Sequence, residues 1–182
     1  MPSGALLIRP STPADLGAIT TIYAQAVATG TASFELEPPD LAEMTRRRDD
    51  LVSKGLPYLV AVQQAEQAGQ VLGYAYAGHF RPRRAYRFSL ENSIYLDPAA
   101  RGRGVGRLLL AELIARCQAL GARQMLAVIG DSGNAASIGL HRALGFEHTG
   151  TMKNVGRKFD RWLDVVLMQR ELGPGASCAP AD

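Results

Sequence analysis

The period of apolar and polar positions changes repeatedly along the chain, and each change marks an element. Residues 5–9 read as a short strand. Thr12-Pro13-Ala14-Asp15 then supplies a helix start, with a capping hydroxyl, proline at the first helical position and a carboxylate three residues after the cap. Leu16, Ile19, Tyr23 and Ala26 follow at helical spacing and give this helix one core-facing side. Residues 28–39, rich in Thr, Gly and Pro, break the pattern into a loop carrying the isolated aromatic Phe34. A charged surface helix is predicted over 40–54. The stretch 58–62 is β-branched and aromatic, Gln63 to Gln70 is a polar turn, and Val71 to Ala77 is the returning strand of a hairpin.

In residues 87–96 the alternation is two-fold, with Phe88, Leu90, Ile94 and Leu96 on one face and Ser89, Glu91, Ser93 and Tyr95 on the other. Asp97-Pro98 ends this strand. A Gly/Arg loop leads into a helix over 104–120, predicted to bury Leu109, Leu113, Cys117 and Leu120 before Gly121 stops it. Residues 124–129 form a nearly all-apolar strand, 134–144 a short helix, and 148–155 and 160–170 two further strands. The tail from Gly173 to Asp182, with two prolines and two glycines, is predicted to be disordered. With no internal repeat and no linker, the chain reads as one domain over 1–172 followed by that tail, 173–182.

Composition narrows the function classes. At 182 residues, 47% hydrophobic and 20% charged, the chain has the balance of one soluble globular domain. Its 20 Lys and Arg against 17 Asp and Glu leave only +3, dispersed along the sequence, which argues against nucleic acid as a partner. No apolar run approaches the ~20 residues that span a bilayer, and the opening lacks the basic start and long apolar stretch of a signal peptide. No membrane partner and a cytoplasmic location are therefore expected. Cys117 in a helical pattern and Cys178 in the tail form no metal-ligand spacing and no disulfide framework, so no metal is expected.

The most informative segment is Arg101-Gly102-Arg103-Gly104-Val105-Gly106-Arg107, three glycines at alternate positions opening a helix. N–H groups at a helix N-terminus carry partial positive charge, and glycine lets them face one acceptor, so phosphate or pyrophosphate is the natural guest. No Gly-Lys-Ser/Thr follows, and the spacing is not G-x-G-x-x-G, which sets aside nucleoside triphosphates and NAD. A glycine-rich turn with solvated arginines remains the alternative.

Arg101-x-x-Gly104-x-Gly106, after a strand and opening a helix, resembles the acetyl-CoA pyrophosphate loop of the GNAT superfamily of N-acetyltransferases. Asn134-Ala135-Ala136-Ser137 and Leu140-His141-Arg142-Ala143-Leu144-Gly145-Phe146 resemble the superfamily's Asn-x-x-Ser and Tyr-x-x-x-Gly-Phe helix, in register. The similarity runs from about residue 6 to 172. It implies an α+β fold with a single mixed, largely antiparallel central sheet of about seven strands flanked by about four helices, with acetyl-CoA as cosubstrate. Residues 80–87, Glu91-Asn92-Ser93-Ile94-Tyr95, Ala127-Val128-Ile129-Gly130 and Arg161-Trp162-Leu163-Asp164 add a narrower resemblance to the GNAT enzymes that acetylate phosphinothricin and methionine sulfoximine or sulfone. Members of that group acetylate the α-amine of small amino-acid analogues and are commonly homodimers. Arg81 stands where lysine is frequent, and Arg84 adds a further cation.

The resemblance assigns roles residue by residue. An α-ammonium must lose a proton before it attacks a thioester, and Glu91 is the expected base, acting directly or through water, although by position alone it could be an ordinary surface glutamate. Where many GNAT enzymes place a tyrosine acid this chain has His141, which shares one side of its helix with Asn134 and Ser137. It could serve the CoA sulfur while Asn134 and Ser137 hold the pantetheine or phosphate end; a structural histidine is the alternative. The loop Arg101, Gly102, Arg103, Gly104, Val105, Gly106 and Arg107 would bind the pyrophosphate, and backbone N–H groups at Ile94, Tyr95 and Leu96 the thioester oxygen. Arg81 and Arg83, with Pro82 and Tyr86, would grip a substrate oxyanion, and Phe34 would cap the pocket; a solvated loop and plain packing compete with these. Gly130-Asp131-Ser132-Gly133 copies a serine-protease tetrapeptide, but between a buried strand and a helix Asp131 or Ser132 more plausibly caps the helix. Competing functions are a GNAT enzyme acting on a protein N-terminus, lysine or polyamine, and a CoA-sensing module without catalysis.

Overall fold

The computed structural model describes residues 5–64 and 69–180. In chain order the elements are β1 (Leu6–Pro10), α1 (Leu16–Thr29), α2 (Leu41–Ser53), β2 (Tyr58–Gln63), β3 (Gln70–His79), β4 (Ser89–Leu96), α3 (Val105–Ala119), β5 (Gln124–Gly130), α4 (Ala135–Ala143), β6 (Glu147–Lys158) and β7 (Arg161–Glu171). The strands of the described residues make one sheet in the order β1-β2-β3-β4-β5-β7-β6, parallel at β4–β5 and antiparallel at every other junction. This is the mixed, largely antiparallel sheet the resemblance implies.

Two-residue alternation decides which helix covers which face. Tyr58, Val60 and Val62 of β2 and Tyr74 of β3 pack with Ile19, Ile22, Tyr23 and Val27 of α1 and Met44 of α2. The intervening Leu59, Ala61, Ala75 and Ala77 point the other way, onto Leu109, Leu110, Leu113 and Cys117 of α3. Each face thus buries its own apolar cluster, and the sheet is covered on both sides through its centre.

The helix start at Thr12 forms as the sequence predicts. Asp15 Oδ2 accepts from the Thr12 backbone N–H at 2.7 Å, and Arg9 clamps both carboxylate oxygens at 2.7 and 2.8 Å. The Arg9 bonds, with Thr12 adding to them, hold the Asp15 pKa down at about 2. The element passes through one 3-10 turn, Pro13–Asp15, before α1 begins.

Several boundaries differ from expectation. Leu120, predicted to be buried, is 57% exposed: α3 ends at Ala119, and Gly121 at φ 83° turns the chain away before another core position can form. The strand expected from residue 87 starts at Ser89, because Arg84–Tyr86 make a 3-10 turn. Gln63 and Gln70 belong to strands, and residues 65–68 of the expected turn lie outside the described residues. β6 is longer than its apolar pattern, with its pairing to β7 shifting between Met152 and Gly156. Beyond Gly173, where composition predicts a disordered tail, the described residues to 180 turn back toward Arg123, which donates to Gly175 O and Ala179 O at 3.3 Å each.

Candidate active site

β4 ends at Leu96, and Asp97 caps the turn that follows by accepting from Ala99 N at 2.8 Å. The chain then passes Gly102 at φ 71° and Gly104 at φ 81° and enters α3 at Val105. Both are left-handed conformations that a residue with a Cβ adopts only at a cost, and a Cβ at either would project into open space. The loop is therefore glycine-rich for backbone shape and leaves room in front of its N–H groups. The unpaired N–H groups of the first turn of α3 and the helix dipole make this an anion seat.

A groove of about 630 Å³ lies in front of it, lined by Ile94, Tyr95 and Leu96 on one wall, Gly102, Gly104, Gly106, Arg101 and Arg107 at the loop, and Asn134 and Ser137 across from them. These are most of the residues expected for the cofactor. Two differ: Arg103 reaches toward Gln63 Oε1 at 3.4 Å, and the Val105 side chain is buried in the core. Ala26, Thr31, Ala32 and Asp131 also line the groove, a wall the sequence did not indicate.

The groove continues into a fork. β4 and β5 pair only from Ser89–Gln124 to Asn92–Ala127 and then diverge, leaving a cleft of about 50 Å³ bounded by Ser93, Ile94, Val128, Gly130 and His141 among others. Phe80 N bonds Ser89 O at 3.1 Å and Asp97 N bonds Leu72 O at 2.9 Å, so the odd-numbered residues of β4 exchange hydrogen bonds with β3. The N–H groups of Ile94 and Leu96 consequently point into the fork, whereas that of Tyr95 is committed to Tyr74.

At the crotch of the fork Asn92 donates through Nδ2 to Leu126 O at 2.9 Å, and its Oδ1 lies 3.0 Å from His141 Nε2; His141 Nδ1 lies 2.8 Å from Ser137 O. Both ring nitrogens are engaged and the residue is 2% exposed, so the ring has no free nitrogen for the sulfur role expected of it. Burial lowers the His141 pKa, partly offset by the Ser137 carbonyl. The helix cap falls to Asn134, whose side chain accepts from Ser137 N at 3.2 Å. Asp131 instead accepts from Thr31 Oγ1 at 3.0 Å and Arg161 at 2.8 Å, and Ser132 donates to Asp164 at 2.8 Å, which gives the protease-like tetrapeptide a structural use.

On the other face of β4, Glu91 is half-buried. Burial raises its pKa and the cation of Arg81 opposes the rise. Arg81 lies over the Phe80 ring, 5.0 Å from its centre, while Pro82, Arg83 and Tyr86 are exposed along the same loop. Beside Glu91, Tyr76 hydrogen-bonds Ser93, and Tyr58, Tyr74 and Tyr76 stack with centroids 5.1–6.2 Å apart over a cavity of about 240 Å³ under α2. The sequence reading missed this stripe, although tyrosines at 74 and 76, with 58 on the neighbouring strand, carry its two-residue signature. Phe34 sits against Gly130 and Gly156, and its neighbour Glu35 accepts from Tyr23 at 2.8 Å and Arg47 at 2.6 Å. An anion groove, a fork offering two N–H groups and a half-buried carboxylate with a cation beside it thus converge on β4. Among the described residues no group of three His, Cys, Asp or Glu could hold a metal ion, and no helix is long and apolar enough to cross a membrane.

Comparison with known proteins agrees with this geometry. The model of the Acetyltransferase (GNAT) family matches residues 21–146. The phosphinothricin N-acetyltransferase of Alcaligenes faecalis is 58% identical over 166 residues, 91% of this chain and 82% of that protein. The L-methionine sulfoximine/L-methionine sulfone acetyltransferase of Pseudomonas aeruginosa is 47% identical over 170 residues, covering 93% and 96%. A phosphinothricin acetyltransferase of Sinorhizobium meliloti, crystallised in complex with AcCoA, superposes with a TM-score of 0.92 at 50% identity, over 97% of this chain and 94% of that one.

Proposed function

Since the chain belongs to the GNAT acetyltransferase family and is an acetyl-CoA-dependent N-acetyltransferase, we propose that its acceptor is the α-amine of a small anionic amino-acid analogue of the phosphinothricin, methionine sulfoximine or methionine sulfone type. The observation that carries this reading is Glu91, half-buried with a raised pKa, with the cation of Arg81 beside it on the strand that walls the cofactor groove. The relatives that act on these analogues support the acceptor class.

In this reading Arg101, Arg107 and the N-terminus of α3 hold the pyrophosphate of acetyl-CoA. Glu91 accepts a proton from the acceptor ammonium, directly or through water, and Arg81, with Arg83, Pro82 and Tyr86 along its loop, orients the acceptor's oxyanion. Phe34 walls the acceptor pocket. As the amine nitrogen bonds to the thioester carbon, Ile94 and Leu96 donate N–H groups to the oxygen on which charge develops. The carbon–sulfur bond then breaks, a thiolate of intrinsic pKa ~8.5 leaves without an obligatory acid, and the proton that the attacking nitrogen still has to lose passes to solvent or to that thiolate. His141 acts through Asn92 by holding the fork, and Asn134 and Ser137 line the path of the pantetheine.

A second copy of the chain fits the ribbon of β6 and β7, where Met152, Val155, Phe159 and Trp162 are exposed, Trp162 by 62%; such an apolar patch on a strand pair suits a homodimer. A cytoplasmic enzyme of this kind would inactivate an amino-acid mimic by removing its ammonium charge. A polyamine or lysine acceptor would need an acidic pocket, and the run Arg81, Arg83, Arg84 opposes one. The test is release of CoA thiol across a panel of amines: phosphinothricin, methionine sulfoximine and methionine sulfone should give the highest kcat/KM. Preference for a peptide N-terminus or a polyamine would overturn the acceptor class, and no release with any amine would leave a CoA-binding module.

A further inference from the structure

The loop between α1 and α2 that carries Phe34 is held from β5 and β6 by groups that no step of the reaction uses. Lys158, at the end of β6, is 4% exposed, and its Nζ donates to Ser33 O at 2.9 Å. Burial lowers its pKa and the field of Glu35 opposes this. A buried ammonium is costly unless it is well bonded, and here it fixes the carbonyl of the residue just before Phe34. Two positions earlier on the same strand, where the pairing with β7 resumes after its shift, Gly156 leaves the place of a Cβ to the Phe34 ring. Gly130 on β5 is tight from the other side: a Cβ there would run into Thr31 O and stand 3.0 Å from Phe34 Cε1 and 3.3 Å from Ala32 O. Neither glycine has a positive φ, so both are required for space. Thr31, bonded to Asp131 at 3.0 Å, fastens the start of the loop.

We propose that Gly156 and Lys158 are positioning residues for the acceptor. The notch between Gly130 and Gly156 seats the Phe34 ring, and Lys158 locks the preceding carbonyl, so one wall of the acceptor pocket is set by β6 and not by the loop itself. This rests on the placement of Phe34 against the acceptor given above. Neither residue touches the substrate, and their influence passes through Phe34.

The test combines kinetics with amide exchange. With methionine sulfone as acceptor, Gly156→Ala should raise the acceptor KM about tenfold or more, because a shifted wall misplaces the amine, while the acetyl-CoA KM changes less than about twofold. Adding Gly156→Ala to Phe34→Ala should do little beyond Phe34→Ala alone, since residues acting as one unit are not additive. Effects that multiply, or equal rises in both KM values, would overturn the proposal. Hydrogen exchange keeps it decidable if kinetics fail: Lys158→Met should speed exchange of the amides of 31–35 and spare β3 and β4, whereas unchanged exchange in 31–35 would refute the lock. If the wild-type enzyme releases no CoA with any amine, the reading of the acceptor falls, and the exchange measurement still decides whether β6 holds the loop.

Discussion

Replacing Asn92 by alanine removes the clasp at the crotch of the fork, and its cost can be worked from the bonds. Four groups stand in line: Leu126 O, Asn92, His141 and Ser137 O, with separations of 2.9, 3.0 and 2.8 Å. The carbonyls at both ends only accept, so Asn92 must turn its NH2 to Leu126 and its oxygen to His141. Three complete bonds would need a proton on each ring nitrogen. A neutral imidazole has one, and the Ser137 hydroxyl, 3.4 Å from Nδ1, is the donor that relieves the shortfall. In Asn92→Ala the buried His141 Nε2 loses its partner, whereas Leu126 O keeps the backbone N–H of residue 92 in the parallel β4–β5 ladder. A stranded buried group costs about 1–3 kcal/mol, so unfolding by urea at pH 7 should show a loss of about 1–3 kcal/mol. The wild type should also lose stability on acidification: burial lowers the folded His141 pKa, so the unfolded chain binds more protons below the ordinary histidine value of 6.5. A loss under about 0.5 kcal/mol in Asn92→Ala would mean that the buried groups find other partners and that the fork does not depend on the clasp.

Three further outcomes follow from named residues. Asp15→Asn should cost about 2 kcal/mol at pH 7, from a carboxylate lowered from 3.8 to about 2; the depressed pKa makes this contribution complete above pH 3.8 and lost as pH falls through 2, so urea titrations at pH 7 and pH 3 should show the gap narrowing. Gly104→Val, at φ 81°, should weaken acetyl-CoA binding by about tenfold or more through loop distortion, and an unchanged Kd by calorimetry in a folded variant would remove the loop from the site. Arg81→Ala should move the acid limb of the acceptor kcat/KM to higher pH, because the cation that opposes the rise of the Glu91 pKa is gone; a limb that stays in place would separate the two residues.

Legibility in the sequence followed physical origin. Period, caps and glycine placement are local, so the strands, the Thr12–Asp15 helix start and the loop at 101–107 could be read directly. Features that depend on which strands pair could not. Asn92 falls on the apolar face of β4 as its one polar member, a signal of a buried partner, but His141 is 49 residues away and meets it only in the folded sheet. Which N–H groups open into the fork depends on the β3–β4 register, so Tyr95 could not be separated from Ile94 and Leu96 beforehand. The seat of Phe34 is formed by Gly130 and Gly156 on two strands that are not neighbours, a space that no local pattern describes. Leu120 lies outside the core because the helical spacing continues one step past the point where the helix ends before Gly121.

The central claim is that Glu91 removes the proton from the acceptor amine, and the pH dependence of kcat in Glu91→Gln against wild type tests it most directly. The substitution keeps the size of the side chain and removes the base. Acetyl transfer to methionine sulfone should fall by about 10²–10⁴-fold at neutral pH, the usual range for a lost general base. The gap should narrow as pH rises and more amine arrives already neutral. A folded Glu91→Gln enzyme with near-normal kcat at neutral pH, or a deficit that stays constant while the amine titrates, would contradict the assignment.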